Sequence, residues 1–338
     1  MKTIAYITGF CFTLACFSCN RDGLYYATEE QGFVRLNVNW QPAQLEPNGM
    51  SVYVFDHENG KAIGKRQICS DPNTMDLTLP VGKFDLLIVN NTEEELVALN
   101  FTGTDNLATF KACLVAKEEP LYSNLLSKAE GATRSTYLTE FDILASALFR
   151  EIEITPQDIH YFKEKPEAEM HEVRRTVEVT PERRTDLIDI EIKVTNITSL
   201  AGAPRTHLTA MCEGMNMGTA TKYGNRITHE FVLNNKRIAP DNYKVGTISK
   251  KLITFGPERK NDAYVNKHRL IMHFVLVNGE THTATLDVHD LMKTSHDGIQ
   301  HIHQIRAEIT LPEAIGNGEG VFNPNIEEWE EIETGLPI

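Results

Sequence analysis

Apolar and polar positions alternate along this chain far more often than they recur at helical spacing. In Phe33–Trp40, Val34, Leu36, Val38 and Trp40 fall on one face, the period-two pattern of a half-buried strand. Val52–Phe55 is a short apolar run that stops at Asp56-His57-Glu58-Asn59-Gly60, a turn by composition. Leu77-Thr78-Leu79, Pro80-Val81-Gly82 and Phe84–Val89 read as two strands with a tight connection. In the second half Ile188, Ile190, Ile192 and Val194 alternate with Asp189, Glu191, Lys193 and Thr195, the clearest strand of all. Further strands are predicted at 206–211, 227–233, 247–255, 269–277, 281–288 and 299–311. Asn278-Gly279, between two of these runs, predicts a two-residue hairpin turn.

Helical patterning is confined to Leu121–Leu126 and Tyr137–Phe149, both read as short helices in connections. A doubly wound α/β sheet needs a helix between most strands, so that class is excluded. Lys163–His171 is charged, contains Pro166 and has no periodicity, which marks a domain boundary. The expected fold is therefore all-β: two antiparallel β-sandwich domains, an N-terminal one over 33–165 and a C-terminal one over 172–338. The halves can share an architecture without a visible sequence repeat.

The N-terminus carries a different signal. Met1-Lys2 precedes an uncharged apolar run, Ile4–Phe17, too short to span a bilayer but of signal-peptide length. A Cys that follows such a run and a small residue is the acylation site of a bacterial lipoprotein. Cys19 after Ser18 fits, with Cys16 after Ala15 as the alternative and an ordinary cleaved signal as the plain reading. The expectation is a signal peptide over 1–18, lipidation at Cys19, a polar tether over 19–32, and attachment to the outer membrane through the acyl chains. That leaves Cys69, Cys113 and Cys212, too few for a disulfide scaffold; Cys69 and Cys113 either pair or stay as free thiols.

Charge changes the picture locally. Of 338 residues, 33 are Lys or Arg and 47 are Asp or Glu, a net charge of −14 that repels nucleic acid and anionic lipid headgroups. Seven Glu and no Lys or Arg lie in Glu313–Ile338, where Trp329 and Ile332 give the acidic tail apolar anchors. That tail either docks as a final strand or presents a binding segment.

Candidate chemistry is thin. Seven of 12 His lie between His268 and His303, and His301-Ile302-His303 puts two imidazoles on one strand face, with Asp287, His289 and Asp290 nearby. A divalent metal is one reading; solvated or satisfied strand histidines are the plainer one, and no metal or cofactor is expected. The chain has no G-x-S-x-G elbow, no P-loop and no dinucleotide fingerprint, and Gly316-Asn317-Gly318-Glu319-Gly320 reads as a connection. The basic pairs Arg174-Arg175 and Arg183-Arg184 are interleaved with Glu172, Glu178, Glu182 and Asp186, as on a solvated strand surface. No catalytic residue is nominated, and the chain is expected not to be an enzyme.

Several segments, in order, carry a resemblance: Val34–Trp40, Met50–Asp56, Leu79–Asn91, Leu208–Met211, Thr254–Gly256, Leu270–Gly279, Leu286–Asp290 and Phe322–Trp329, together with Cys19. The chain resembles the FimB-type fimbrial anchor and accessory lipoproteins. The resemblance implies two transthyretin-like, Greek-key sandwiches and a lipid-anchored outer-membrane place, probing no chemistry of its own. It also implies fimbrial shaft or accessory subunits as partners, engaged when a strand from one subunit fills a groove in another. The alternative function is a surface glycan- or protein-binding lipoprotein.

Overall fold

The computed structural model describes residues 31–92, 94–96, 98–115, 134–135, 142–159, 175–224, 227–257, 268–293 and 301–315. Strands dominate them, and they form two β-sandwiches. In the first half the strands are β1 (Gln31–Val38), β2 (Met50–Asp56), β3 (Gln67–Cys69), β4 (Thr74–Pro80) and β5 (Gly82–Asn90). There follow β6 (Leu99–Thr102), β7 (Lys111–Leu114), β8 (Arg134–Ser135), β9 (Ala145–Ile154), β10 (Arg175–Val179) and β11 (Glu182–Arg183). The second half contains β12 (Asp186–Thr195), β13 (Arg205–Met211), β14 (Gly214–Asn216), β15 (Thr221–Tyr223) and β16 (Ile227–Val232). It continues with β17 (Asn235–Ala239), β18 (Asn242–Thr254), β19 (Arg269–Val275), β20 (Thr281–Asp287) and β21 (Ile302–Thr310).

The first sandwich packs the sheet β10-β1-β4 on β11-β9-β5-β2-β3. The second packs β17-β18-β12-β21 on β20-β19-β13-β16-β8. The alternation read from sequence is what fills these cores. Val34, Leu36, Val38 and Trp40 are buried on one face of β1, and Ile188, Ile190, Ile192 and Val194 are fully buried on β12. Trp40 also satisfies its indole N–H, which donates to the Pro72 carbonyl at 2.6 Å.

The two sandwiches are topological copies. In each, the first strand pairs antiparallel with a later one and parallel with the last: β1 with β4 and β10, β12 with β18 and β21. In the facing sheets, β9-β5-β2-β3 matches β20-β19-β13-β16 in chain order and in strand direction. Most pairings are antiparallel, as expected; the last strand of each copy adds a parallel pair that the sequence does not signal, because alternation along a strand records burial and not the direction of its neighbour.

What differs between the copies is inserted chain. The excursion between β5 and β9 supplies β6 and β7, and that between β13 and β16 supplies β14 and β15. These four form one sheet, in which Cys113, Ala112 and Lys111 pair with Gly214, Met215 and Asn216. Leu96, Leu99, Leu107, Phe110, Ala112 and Leu114 then cover the outer side of β2 and β5, burying Tyr53, Phe55, Leu87 and Val89. Phe110 sits at the centre, 4.7 Å from Tyr53 and 5.9 Å from Phe101 between ring centroids, both edge-on. Burial on both faces is why β2 and β5 read as continuous apolar runs and not as alternating ones.

Two local expectations are corrected. Tyr137–Phe149 is not a helix where it is described: Ala145–Phe149 belongs to β9, whose pairing with β5 overrides local propensity. The Asn278-Gly279 turn is a three-residue loop. The Gly279 N–H donates to the Leu276 carbonyl and the Leu276 N–H to the Glu280 carbonyl, with Gly279 alone at positive φ (82°), the pattern of a bulged hairpin. The predicted helix at Leu121–Leu126 and the boundary at Lys163–His171 lie outside the described residues. Beyond that boundary, β10 pairs with β1 and β11 with β9.

Candidate functional site

The copies are arranged head to tail. Strand direction places Val38, Asn90, Ala145 and Val179 at one end of the first sandwich, and there Glu182 and Arg183 pair with Ser146 and Ala145. The chain then enters the second sandwich through β12, at the end marked by Asp186, Thr254 and Leu187 opposite Ile302. The far end of the second sandwich carries Thr195, Thr310, Val275 and Thr281.

At that far end the chain repeats a path it has already taken. After β10 it runs Thr180-Pro181-Glu182, and after β21 Leu311-Pro312-Glu313. A short 3-10 turn follows the first strand of each copy, Gln41–Ala43 and Ile197–Ser199. In the first copy β11 packs against its turn. In the second the Ala314 N–H donates to Ser199 Oγ at 3.0 Å, and Glu313 pairs with Lys244 at 2.8 Å. Where the first copy continues into β12, the second leads to residues 316–338, which contain the acidic Trp329 segment and lie outside the described residues. Cys19, the lipidation candidate, lies outside them too, as do Cys16 and Arg174.

The histidine pair has a clear destination. His301 Nδ1 and His303 Nε2 stand 2.7 and 3.0 Å from the two oxygens of Asp186, and Lys222 Nζ is 2.8 Å from Oδ2. Burial by itself would raise the Asp186 carboxyl, but hydrogen bonds to His301 and His303 and the Lys222 ammonium outweigh it and hold the group far below the usual carboxylate range. The two imidazoles and the Lys222 ammonium thus serve the Asp186 carboxylate, and no metal-ligating group of three is present among the described residues. Asp287, His289 and Asp290 are not brought to the pair among the described contacts: His289 instead stacks on His268, with ring centroids 5.3 Å apart. Gly256 makes room for this network, since a Cβ there would lie 1.9 Å from Asp186 Oδ2.

The partner, Asp186, is 115 residues from His301. Only its place at the head of an alternating strand, where a buried charge is out of pattern, could have signalled it. A second buried carboxylate, Asp85, was equally hidden in an apolar strand. It receives Arg150 at 2.6 Å, His57 at 2.8 Å and the Glu151 N–H at 2.9 Å across the β5–β9 bulge.

The basic residues are structural ties. Arg184 donates to Ser146 Oγ and its carbonyl at 2.9 and 3.0 Å, and Arg183 to the Thr185 carbonyl at 3.1 Å, fixing the link between the copies. Arg175 donates to the Glu153 carbonyl. Cys69, Cys113 and Cys212 are free thiols.

A family of proteins described as "Domain of unknown function (DUF5119)" matches residues 18–231, more than half of the chain. The chain belongs to the DUF5119 family. No curated protein matches it. Solved structures do resemble this DUF5119 protein in fold. A candidate adhesin from Bacteroides ovatus ATCC 8483 aligns with a TM-score of 0.53 at 14% identity, over 84% of this chain and 94% of that one. A second candidate adhesin from Bacteroides ovatus gives 0.52 at 13%, over 85% and 91%. A candidate polysaccharide-binding protein (DUF1812) from Bacteroides thetaiotaomicron VPI-5482 gives 0.50 at 12%, over 82% and 90%. At these identities the likeness establishes the all-β, two-sandwich fold.

Proposed function

We propose that this DUF5119 protein is a non-catalytic, lipid-anchored subunit of a surface fimbria or related adhesive fibre, held in the outer membrane by acyl chains on Cys19. It engages neighbouring fimbrial shaft or accessory subunits by strand complementation. The observation that carries this reading is the head-to-tail duplication. A head-to-tail contact is heterologous, and its repetition without closure builds an open fibre. Inside the chain, the segment leaving the first sandwich past Pro181-Glu182 becomes β12, the first strand of the next sandwich. The segment leaving the second sandwich past Pro312-Glu313 follows the same path, so residues 316–338 are the chain available to serve a further sandwich as its strand. The polarity suits an anchor: β1, which follows Cys19 in the chain, starts at the end of the first sandwich away from the second, and Ile315 leaves from the far end of the second. Candidate adhesins share the fold.

The test is to isolate the native protein from membranes of cells that make fimbriae, beside a form truncated after Ile315. Co-recovery of a shaft subunit that survives mild denaturant, and its loss on truncation, is the expected result. Recovery of no shaft subunit, or recovery indifferent to truncation, counts against the role. Incorporation of radiolabelled palmitate is expected to vanish in Cys19→Ala; labelling lost only in Cys16→Ala moves the anchor to that residue.

A further inference from the structure

The outer face of the sheet β17-β18-β12-β21 holds a cradle of about 470 Å³, within the range of small-ligand sites. Asp189 and Glu191 form its floor, Arg306 closes one side, Lys251 lies beside Asp189, and Asn235 and Arg237 form the opposite wall. That wall is β17, an edge strand on β18 with no counterpart beside β4 in the first sandwich.

The duplication provides an internal control. On the equivalent outer face of β10-β1-β4, polar side chains satisfy one another across the strands. Arg35 makes two hydrogen bonds to Asp76, at 2.9 and 3.1 Å, and Asn37 donates to Glu178 at 2.7 Å. On the second sandwich Arg306 pairs with Asp189 at 2.6 Å, but Glu191, Arg237 and Lys251 make no ion pair or hydrogen bond through their side chains among the described residues. Lys193 and Glu308 also pair across that face, at 2.9 Å, so what sets the second face apart is the added β17 wall and the exposed, uncommitted charges beside it.

We propose that this cradle binds a short stretch of acidic polysaccharide, a chain carrying both hydroxyl groups and carboxylates. Arg237 and Lys251 offer charge-assisted donors to carboxylates, which are the stronger polar contacts. Glu191, exposed and set between them, is acceptor-only and can take a hydroxyl proton from a sugar lying between the two cations. Asn235 offers both donor and acceptor. Tyr243, 68% exposed on β18, gives an aromatic surface beyond the cradle on which a longer sugar chain can rest. Lining groups of both charges set in a chain of net charge −14 make a local exception to the field that otherwise repels anions.

The test is affinity electrophoresis of the detergent-solubilised full-length protein in gels containing polygalacturonate, dextran or polyglutamate. Retardation by polygalacturonate and not by dextran is expected, weakened roughly tenfold by Arg237→Ala and again by Lys251→Ala. Arg35→Ala, on the control face, leaves it unchanged. Glu191→Gln weakens the hold on polygalacturonate while strengthening any hold on polyglutamate. All these positions are at the surface, so unfolding midpoints equal to wild type accompany the losses. No retardation by polygalacturonate overturns the proposal, as does retardation that the Arg237/Lys251 double variant leaves intact. Equal retardation by dextran removes the acidic requirement, and equal retardation by polyglutamate removes the sugar; either result rejects the site as described. Because the assay needs no fimbrial partner, its failure is separate from failure of the anchor role.

Discussion

Asp186→Asn removes one fully buried negative charge whose partners Lys222 and His301 reach toward the surface. The carboxylate is fully buried, and three donors converge on it: Lys222 at 2.8 Å, His301 at 2.7 Å and His303 at 3.0 Å. Breaking a buried ion pair by neutralising one member costs about 3–5 kcal/mol, and the partial exposure of Lys222 places this pair toward the lower end. Asparagine keeps the shape but brings an N–H₂ group to face donors, which keeps the cost within that range. The pH dependence has a definite sign. A carboxyl held far below its ordinary value contributes stability that is complete above about pH 4 and is lost as pH falls below it, since the unfolded chain then takes up the proton first. Urea unfolding followed by circular dichroism, at pH 7 and at about pH 3, measures both quantities. The variant is expected to lose about 3–5 kcal/mol at pH 7, and its gap from wild type to narrow by roughly 1 kcal/mol at pH 3. A loss under about 1 kcal/mol at pH 7, or a gap that does not move with pH, refutes the assignment of a buried, ionised carboxylate.

His229→Leu tests the opposite titration: burial holds this imidazole down to about 3, so the folded state resists protonation and wild type loses stability as pH falls below 6.5. The variant is expected to reduce the slope of stability between pH 6.5 and about 4 by up to roughly 1.4 kcal/mol per pH unit, His207, His268 and His273, also held down by burial, supplying the slope that remains; an unchanged profile rejects the reading. Gly214→Val drives a Cβ to 2.3 Å from the Ala112 carbonyl, within the sheet that joins the halves. Calorimetry should then resolve two melting transitions where the wild type has one, whereas a single unshifted transition means that this sheet does not couple them. Gly256→Ala adds positive-φ strain (φ +75°) to a 1.9 Å clash with Asp186 Oδ2, and is expected to lower stability by about 3 kcal/mol; a loss below about 1 kcal/mol shows that the network can shift aside.

The legibility of this fold in its sequence followed burial. β1 and β12 bury one face each, so Val34–Trp40 and Ile188–Val194 alternate and could be read directly. β2 and β5 bury both faces and were still readable as strands, but the layer of Phe110 and Leu107 that covers them left no mark of its own. Strand neighbours left none either: that β10 runs parallel to β1 is set by contacts 141 residues apart in sequence, such as Asn37 to Glu178. Ala145–Phe149 failed for the same reason, since its strand state comes from pairing with β5 and not from its own residues. For the candidate sites, His301 and His303 stood out by spacing, while Asp186 and Lys222, which give them their role, lie on distant strands. The cradle was invisible because a polar sheet face reads alike whether its charges are paired or uncommitted, and only the first sandwich, as a copy, tells the two apart.

The same copy bears on how one subunit would join the next. Within the chain, the sandwiches are held together by the covalent link through Arg184, by the inserted sheet β6-β7-β14-β15, and by β8 of the first half pairing with β16 of the second. The far end of the second sandwich has no equivalent of the inserted sheet among the described residues, because β19 and β20 are joined by a three-residue loop where the first copy inserts β6 and β7. It does expose Val275 and Ile315, 46% and 86% accessible, at the level where the first copy receives its successor. On the proposed role, these exposed apolar residues are the part of the described surface that a neighbouring subunit would meet at this end, away from the outer face of β12 that carries the cradle.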